Sequence, residues 1–155
     1  MSHTMIQFND EQLRERSFQR VATVLHHFWE EQQHVEPRAA RVHSRIFDTL
    51  VSDRHIYEGT SQNGSGHREH LVPCAYLRDL AFQMFWQGKN IADVAKMIGR
   101  LLRVASITRE EARKIDFELR LKIAMPAGWD PENGSVFARI EAGGVVLVKN
   151  PLASC

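Results

Sequence analysis

Apolar residues recur at helical spacing through most of this chain. Phe18, Val21, Val24, Leu25 and Phe28 lie three or four apart, and Asn9 with Gln12 supplies a capping box ahead of them. A helix is therefore predicted over 10–33. Ala39, Val42, Ile46 and Leu50 mark a second apolar face over 38–52, opened by Pro37 and flanked by a basic stripe of Arg38, Arg41 and Arg45. These two helices are expected to form a hairpin that supplies much of the core. Pro73 opens a third helix over 74–87, with Leu77, Leu80, Ala81, Met84 and Phe85 inward and Gly88 as its stop. Asn90 caps a fourth over 91–102. "TREE" at 108–111 is a capping box for a fifth over 109–119.

The remaining pattern is short and strand-like. Residues 59–66, "GTSQNGSG", are all small or polar and predict a mobile loop. Its flanks, 55–58 and 67–72, predict a short β-hairpin. "RVASI" at 103–107 and "VVLV" at 145–148 predict further strands, separated by the turn-rich stretch "MPAGWDPENGSV". Mainly α with a small β element (α+β) is the expected class: a helical core carrying a short hairpin, as one domain over 1–155 with a flexible leader at 1–8.

Composition narrows the picture. An apolar share of 43% over 155 residues suits one globular domain. Net charge is only +1, which excludes a bulk basic excess, yet 15 of the 20 basic residues are arginine, the side chain that grips phosphate or carboxylate in two bonds. The two cysteines, Cys74 and Cys155, make no disulfide framework, so a cytoplasmic location is expected. "MSHTM" lacks the basic and apolar regions of a secretory signal, and Met5 is a candidate natural start. No apolar run approaches the ~18 residues of a membrane span.

The candidate chemistry concentrates in "GSGHREHLVPC", residues 64–74. On a strand, His67 and Glu69 share one face, and Arg68 and His70 share the other. A metal held by both His67 and His70 is then strained, and a structural zinc site would lack its four ligands. The run "EHLVP" resembles the first strand of the His-Me finger (HNH-like) nucleases. That resemblance implies a ββα unit with "VASI" as second strand and "TREEARKID" as the helix. It implies His70 as the general base that activates water, Glu69 as a ligand to one divalent metal (Mg²⁺ or Mn²⁺, alternatively Zn²⁺), and Arg68 as a phosphate contact. The helix position that carries a family His or Asn falls near Glu111 and Ala112. Glu111 is therefore the second metal candidate, with Asp116 in reserve. Such a site would hydrolyse phosphodiesters in nucleic acid, the metal neutralising charge while a neutral imidazole takes the proton.

The competing expectation is a non-catalytic helical module that docks on nucleic acid or a protein partner, with His70 and Glu69 in structural roles. Other motifs are expected to be structural as well. His26 and His27 of "LHHFW" are expected as mid-helix surface histidines, at most one facing the core, Phe82, Phe85 and Trp86 suit core packing, and Trp129 suits a pin for the turn-rich tail. "GTSQNGSG" lacks the ending of a phosphate loop and is a hairpin tip or a lid over the "HREH" face.

Overall fold

A computed structural model describes residues 6–34 and 42–149. The predicted helix start at Pro37, the stripe residues Arg38 and Arg41, Met5 and Cys155 lie outside the described residues.

Local capping chemistry sets most of the helices. Helix α1 (Asp10–Gln32) opens on the Asn9–Gln12 capping box, formed in both directions. Of the helix expected over 38–52, the described part, 42–52, is helical only over α2 (Ile46–Leu50). His43 Nδ1 accepts the Arg45 N–H, a side-chain bond that competes with helical pairing, and Val51 is already extended. Helix α3 (Cys74–Trp86) follows Pro73 and stops at Gly88, whose φ of 83° no ordinary side chain favours. Helix α4 (Ile91–Leu101) has an Asn90–Asp93 capping box. Helix α5 (Arg109–Arg113) begins on the "TREE" box, then widens into a π-helical turn over Lys114–Glu118 instead of continuing as α. The wider turn lets neighbours face inward together: Ile115 is fully buried and Asp116 reaches a buried arginine. Helix α6 (Ala138–Ala142) was not predicted, because five residues give too little periodicity to see.

The sheet corrects the hairpin expectation. Strands β1 (Tyr57–Ser61), β2 (His67–His70), β3 (Val104–Ile107) and β4 (Leu147–Lys149) lie in the order β2-β3-β1-β4. β1 and β2 are not neighbours. β3 lies between them, antiparallel to β2 and parallel to β1. The physical reason is burial. Val104, Ala105 and Ile107 are buried on alternating faces, as a central strand requires, whereas β2 carries exposed Arg68. The loop expectation also shrinks. Residues 59–61 belong to β1, and Ser61 is 4% exposed with its hydroxyl bonded to Glu111. Only 62–66 remain a turn.

Two cores flank this sheet. Phe18, Val21, Leu25, Phe47, Leu77, Phe85, Val94 and Ile98 build the larger, between α1, α3 and α4. Leu71, Ala105, Ile107, Ala112, Ile115 and Ile140 build the smaller, under α5 and α6. The result is mostly helical with a small four-stranded mixed sheet. Trp129 pins the tail as expected: its Nε1 donates to Ser135 O at 2.8 Å and its ring meets Tyr76 edge-on. Among the described residues no helix is long and apolar enough to cross a membrane.

Candidate functional site

Strand alternation on β2 divides the "HREH" residues between the two sides of the sheet, as the sequence predicts. His67 and Glu69 face the smaller core. Glu69 is 6% exposed, and its Oε2 lies 2.9 Å from His67 Nε2. Its Oε1 accepts a short hydrogen bond from Nη1 of Arg139, on α6. Arg139 is 1% exposed with all three nitrogens engaged: Nε donates to Leu121 O at 2.6 Å, Nη1 also to His70 O at 3.0 Å, and Nη2 to Asp116 Oδ1 at 3.1 Å. One buried guanidinium thus ties β2, the π turn and α6 together. A buried charge is tolerated only when paired and hydrogen-bonded in this way.

Arg68 and His70 face α2 and the turn after it. Arg68 donates through Nε and Nη2 to both oxygens of Asp53, and through Nη2 to Asp48 Oδ1 at 3.0 Å. These bonds from Arg68 hold the Asp53 carboxyl below its ordinary value and raise the guanidinium's own pKa. His70 Nε2 approaches Asp48 Oδ1 at 3.2 Å, but without hydrogen-bond geometry, so this buried nitrogen has no hydrogen-bond partner. Burial pushes the His70 pKa below 6.5, against a partial opposing pull from Asp48, which favours the neutral imidazole. Cys74, the first residue of α3, is nearby and inert: burial, then Asp48, pushes its thiol up to about 12.

The expected residues therefore do not gather at one point. His70 and Glu69 are adjacent in sequence but open on opposite faces. Glu111 sits elsewhere, at the start of α5. Its Oε1 accepts the Thr108 N–H, and its Oε2 accepts Ser61 Oγ at 2.9 Å and Asn63 Nδ2 at 3.4 Å. Burial works against its charge, yet these bonds outweigh burial and lower its pKa. Both proposed metal carboxylates thus have both oxygens engaged by protein groups, an arrangement that does not fit a metal without rearrangement. The ββα order itself is present: β2 pairs antiparallel with β3, and α5 follows directly.

Two residues were missed in the sequence. Asp48 lay inside a predicted helix face and gave no separate signal. Arg139 did give one: a lone arginine between Val136, Phe137 and Ile140 is marked for burial and pairing. A third feature stands apart from "HREH". Arg109, Arg113, Lys114, Arg120 and Lys122 are all exposed, and none makes an ion pair among the described residues. Phe117 and Ile123, in the same stretch, are 66% and 67% exposed. Comparison with family models, curated proteins and solved structures gave no match, so function must be argued from these sites alone.

The neutral state of His70 has a consequence for stability. Its folded pKa is depressed, so the unfolded chain binds the proton more tightly. The stability at stake is fully present above about pH 6.5 and is lost as pH falls through the lower folded value. Melting temperature should drop on acidification below about pH 6.5. His70→Gln should flatten part of that slope. His55, lowered by burial in the same direction, should retain the remainder. Parallel pH profiles for wild type and variant would show that His70 is not a buried neutral group.

Proposed function

We propose that this chain is a non-catalytic module that binds the phosphate backbone of nucleic acid. The observation that carries this reading is the cluster of five exposed, unpaired cations at 109–122, opposed within the stretch only by exposed Glu110 and Glu118. Its other acids, Glu111 and Asp116, are tied internally. Lysines and arginines left free on one short segment are an electrostatic footprint for phosphate, whatever the net charge of the whole chain. The "HREH" strand then serves as architecture. Glu69 anchors Arg139, and Arg68 anchors the α2 segment through Asp48 and Asp53.

A second reading, metal-dependent phosphodiester hydrolysis, is favoured by one observation: a largely buried His70, its Nε2 without a hydrogen-bond partner, on the first strand of a ββα order. It would need Glu69 to leave Arg139 before serving a metal.

One experiment separates the two. Labelled oligonucleotides are titrated with the full chain at several salt concentrations, in Mg²⁺, Mn²⁺ or chelator, and the same samples are run on a denaturing gel. Binding should persist in chelator and weaken with salt, with a log–log slope of at most roughly −3.5 to −4.5 for five contacts. Arg113→Glu with Lys114→Glu should abolish it without lowering the melting temperature, since both side chains are exposed. Absence of binding at low salt would overturn the module. Cleavage that requires metal and disappears in His70→Ala would establish the second reading instead.

A further inference from the structure

Resting on the proposed nucleic-acid binding, we infer that the strand taken is single-stranded, with Phe117 stacking on an unpaired base. Phe117 projects from the π turn Lys114–Glu118 with two thirds of its surface in water. Its position is held from below. Ile115 is fully buried in the smaller core, Asp116 is bonded to Arg139, and Leu119 N–H closes the turn on Lys114 O. The ring is thus presented by a fixed turn, not by a frayed end.

Its neighbours are cations. Arg113 ends the α5 segment just before it and Lys114 opens the same π turn, so both lie close to it along the chain, and both are exposed and without an ion pair among the described residues. Arg120 and Lys122 follow. Arg120 holds a left-handed backbone at φ 57°, unusual for any residue but glycine. A residue in that conformation turns the chain sharply directly after the ring. An exposed aromatic ring flanked by unpaired cations matches a backbone of phosphates with a base free to stack. A duplex offers the phosphates but keeps its bases stacked internally, so it would use the cations and leave Phe117 idle. Glu118, exposed and next to Phe117 in sequence, repels phosphate and should weaken duplex and single strand alike.

The test uses the full chain and four labelled probes of equal length: oligodeoxythymidine, oligouridine, a duplex, and an abasic deoxy strand that keeps the phosphates but has no bases. Single strands should bind more tightly than the duplex. The abasic strand should lose roughly 5- to 100-fold relative to oligodeoxythymidine. Phe117→Ala should lose a similar factor on the base-bearing strands and nothing on the abasic strand, and Phe117→Trp should restore binding. Comparing oligodeoxythymidine with oligouridine tells DNA from RNA as the source of the strand. Equal binding of duplex, abasic and base-bearing strands, with Phe117→Ala neutral, overturns this inference and leaves backbone binding standing. Binding to none of the probes overturns both.

Discussion

Arg139→Met should lower the melting temperature by roughly 6–20 °C, the largest effect expected from any single charged residue in this chain. The guanidinium is 1% exposed and donates to Glu69, His70 O, Leu121 O and Asp116. Its removal leaves the Glu69 carboxylate, itself 6% exposed, with the half-exposed His67 as its remaining partner. Breaking a buried pair from one side costs about 3–5 kcal/mol, a large part of the ~5–15 kcal/mol that holds a typical domain together. Glu69→Gln should be destabilising too, because Arg139 would then keep only Asp116 as a charged partner. Replacing both, as Arg139→Met with Glu69→Leu, should recover much of the loss, since apolar residues can fill such a site at no net cost. Asp116 retains access to water, with its side chain 20% exposed. Denaturant melts of the four proteins check this. A Glu69→Gln variant as stable as wild type would mean that the carboxylate is free of its structural task, which is what a metal-ligand role for Glu69 requires.

Phe47→Ala should cost a comparable ~3–5 kcal/mol. Helix α2 has five residues and no side-chain cap, so it cannot persist on its own account. Phe47, 1% exposed in the larger core, is what fastens it. The same side chain positions its neighbour Asp48 toward Arg68 and His70. Loss of the ring should therefore be felt in electrostatics as well as packing. Asp48 opposes the burial effect on His70, so Asp48→Asn should lower the imidazole pKa further with only a small change in stability. Denaturant melts and a proton NMR titration of His70 separate the two effects. If Phe47→Ala unfolds like a surface substitution, α2 is held by something other than this plug.

The helices were legible because their signals are local. Asn9 with Gln12, and Thr108 with Glu111, are each three residues apart and are bonded as their spacing predicts. The π turn was not legible, since the apolar spacing of Ala112, Ile115 and Leu119 fits an α-helix equally well. The division of "HREH" between two faces followed from strand geometry and is observed. What those faces meet did not follow. Glu69 finds Arg139 seventy residues onward, and Arg68 finds Asp48 twenty residues back. No spacing rule connects such pairs; only the packed fold does. The strand order failed for the same reason. Adjacent strands joined by a glycine-rich segment favour a hairpin locally, but "VASI", with Val104, Ala105 and Ile107 buried on both faces, claims the centre of the sheet.

That central insertion dictates when the protein can be assembled during synthesis. Both partners of β1, namely β3 at Val104–Ile107 and β4 at Leu147–Lys149, emerge after it. A nascent chain therefore carries Tyr57–Ser61 and His67–His70 with open edges until α3 and α4 have been made and β3 arrives. Helices α1, α3 and α4 are all complete by residue 101, whereas the sheet waits for segments distant in sequence, whose contacts form more slowly. A ribosome stalled before residue 104 would hold a chain whose β1 and β2 segments lack their sheet partners, and unpaired strand edges invite aggregation.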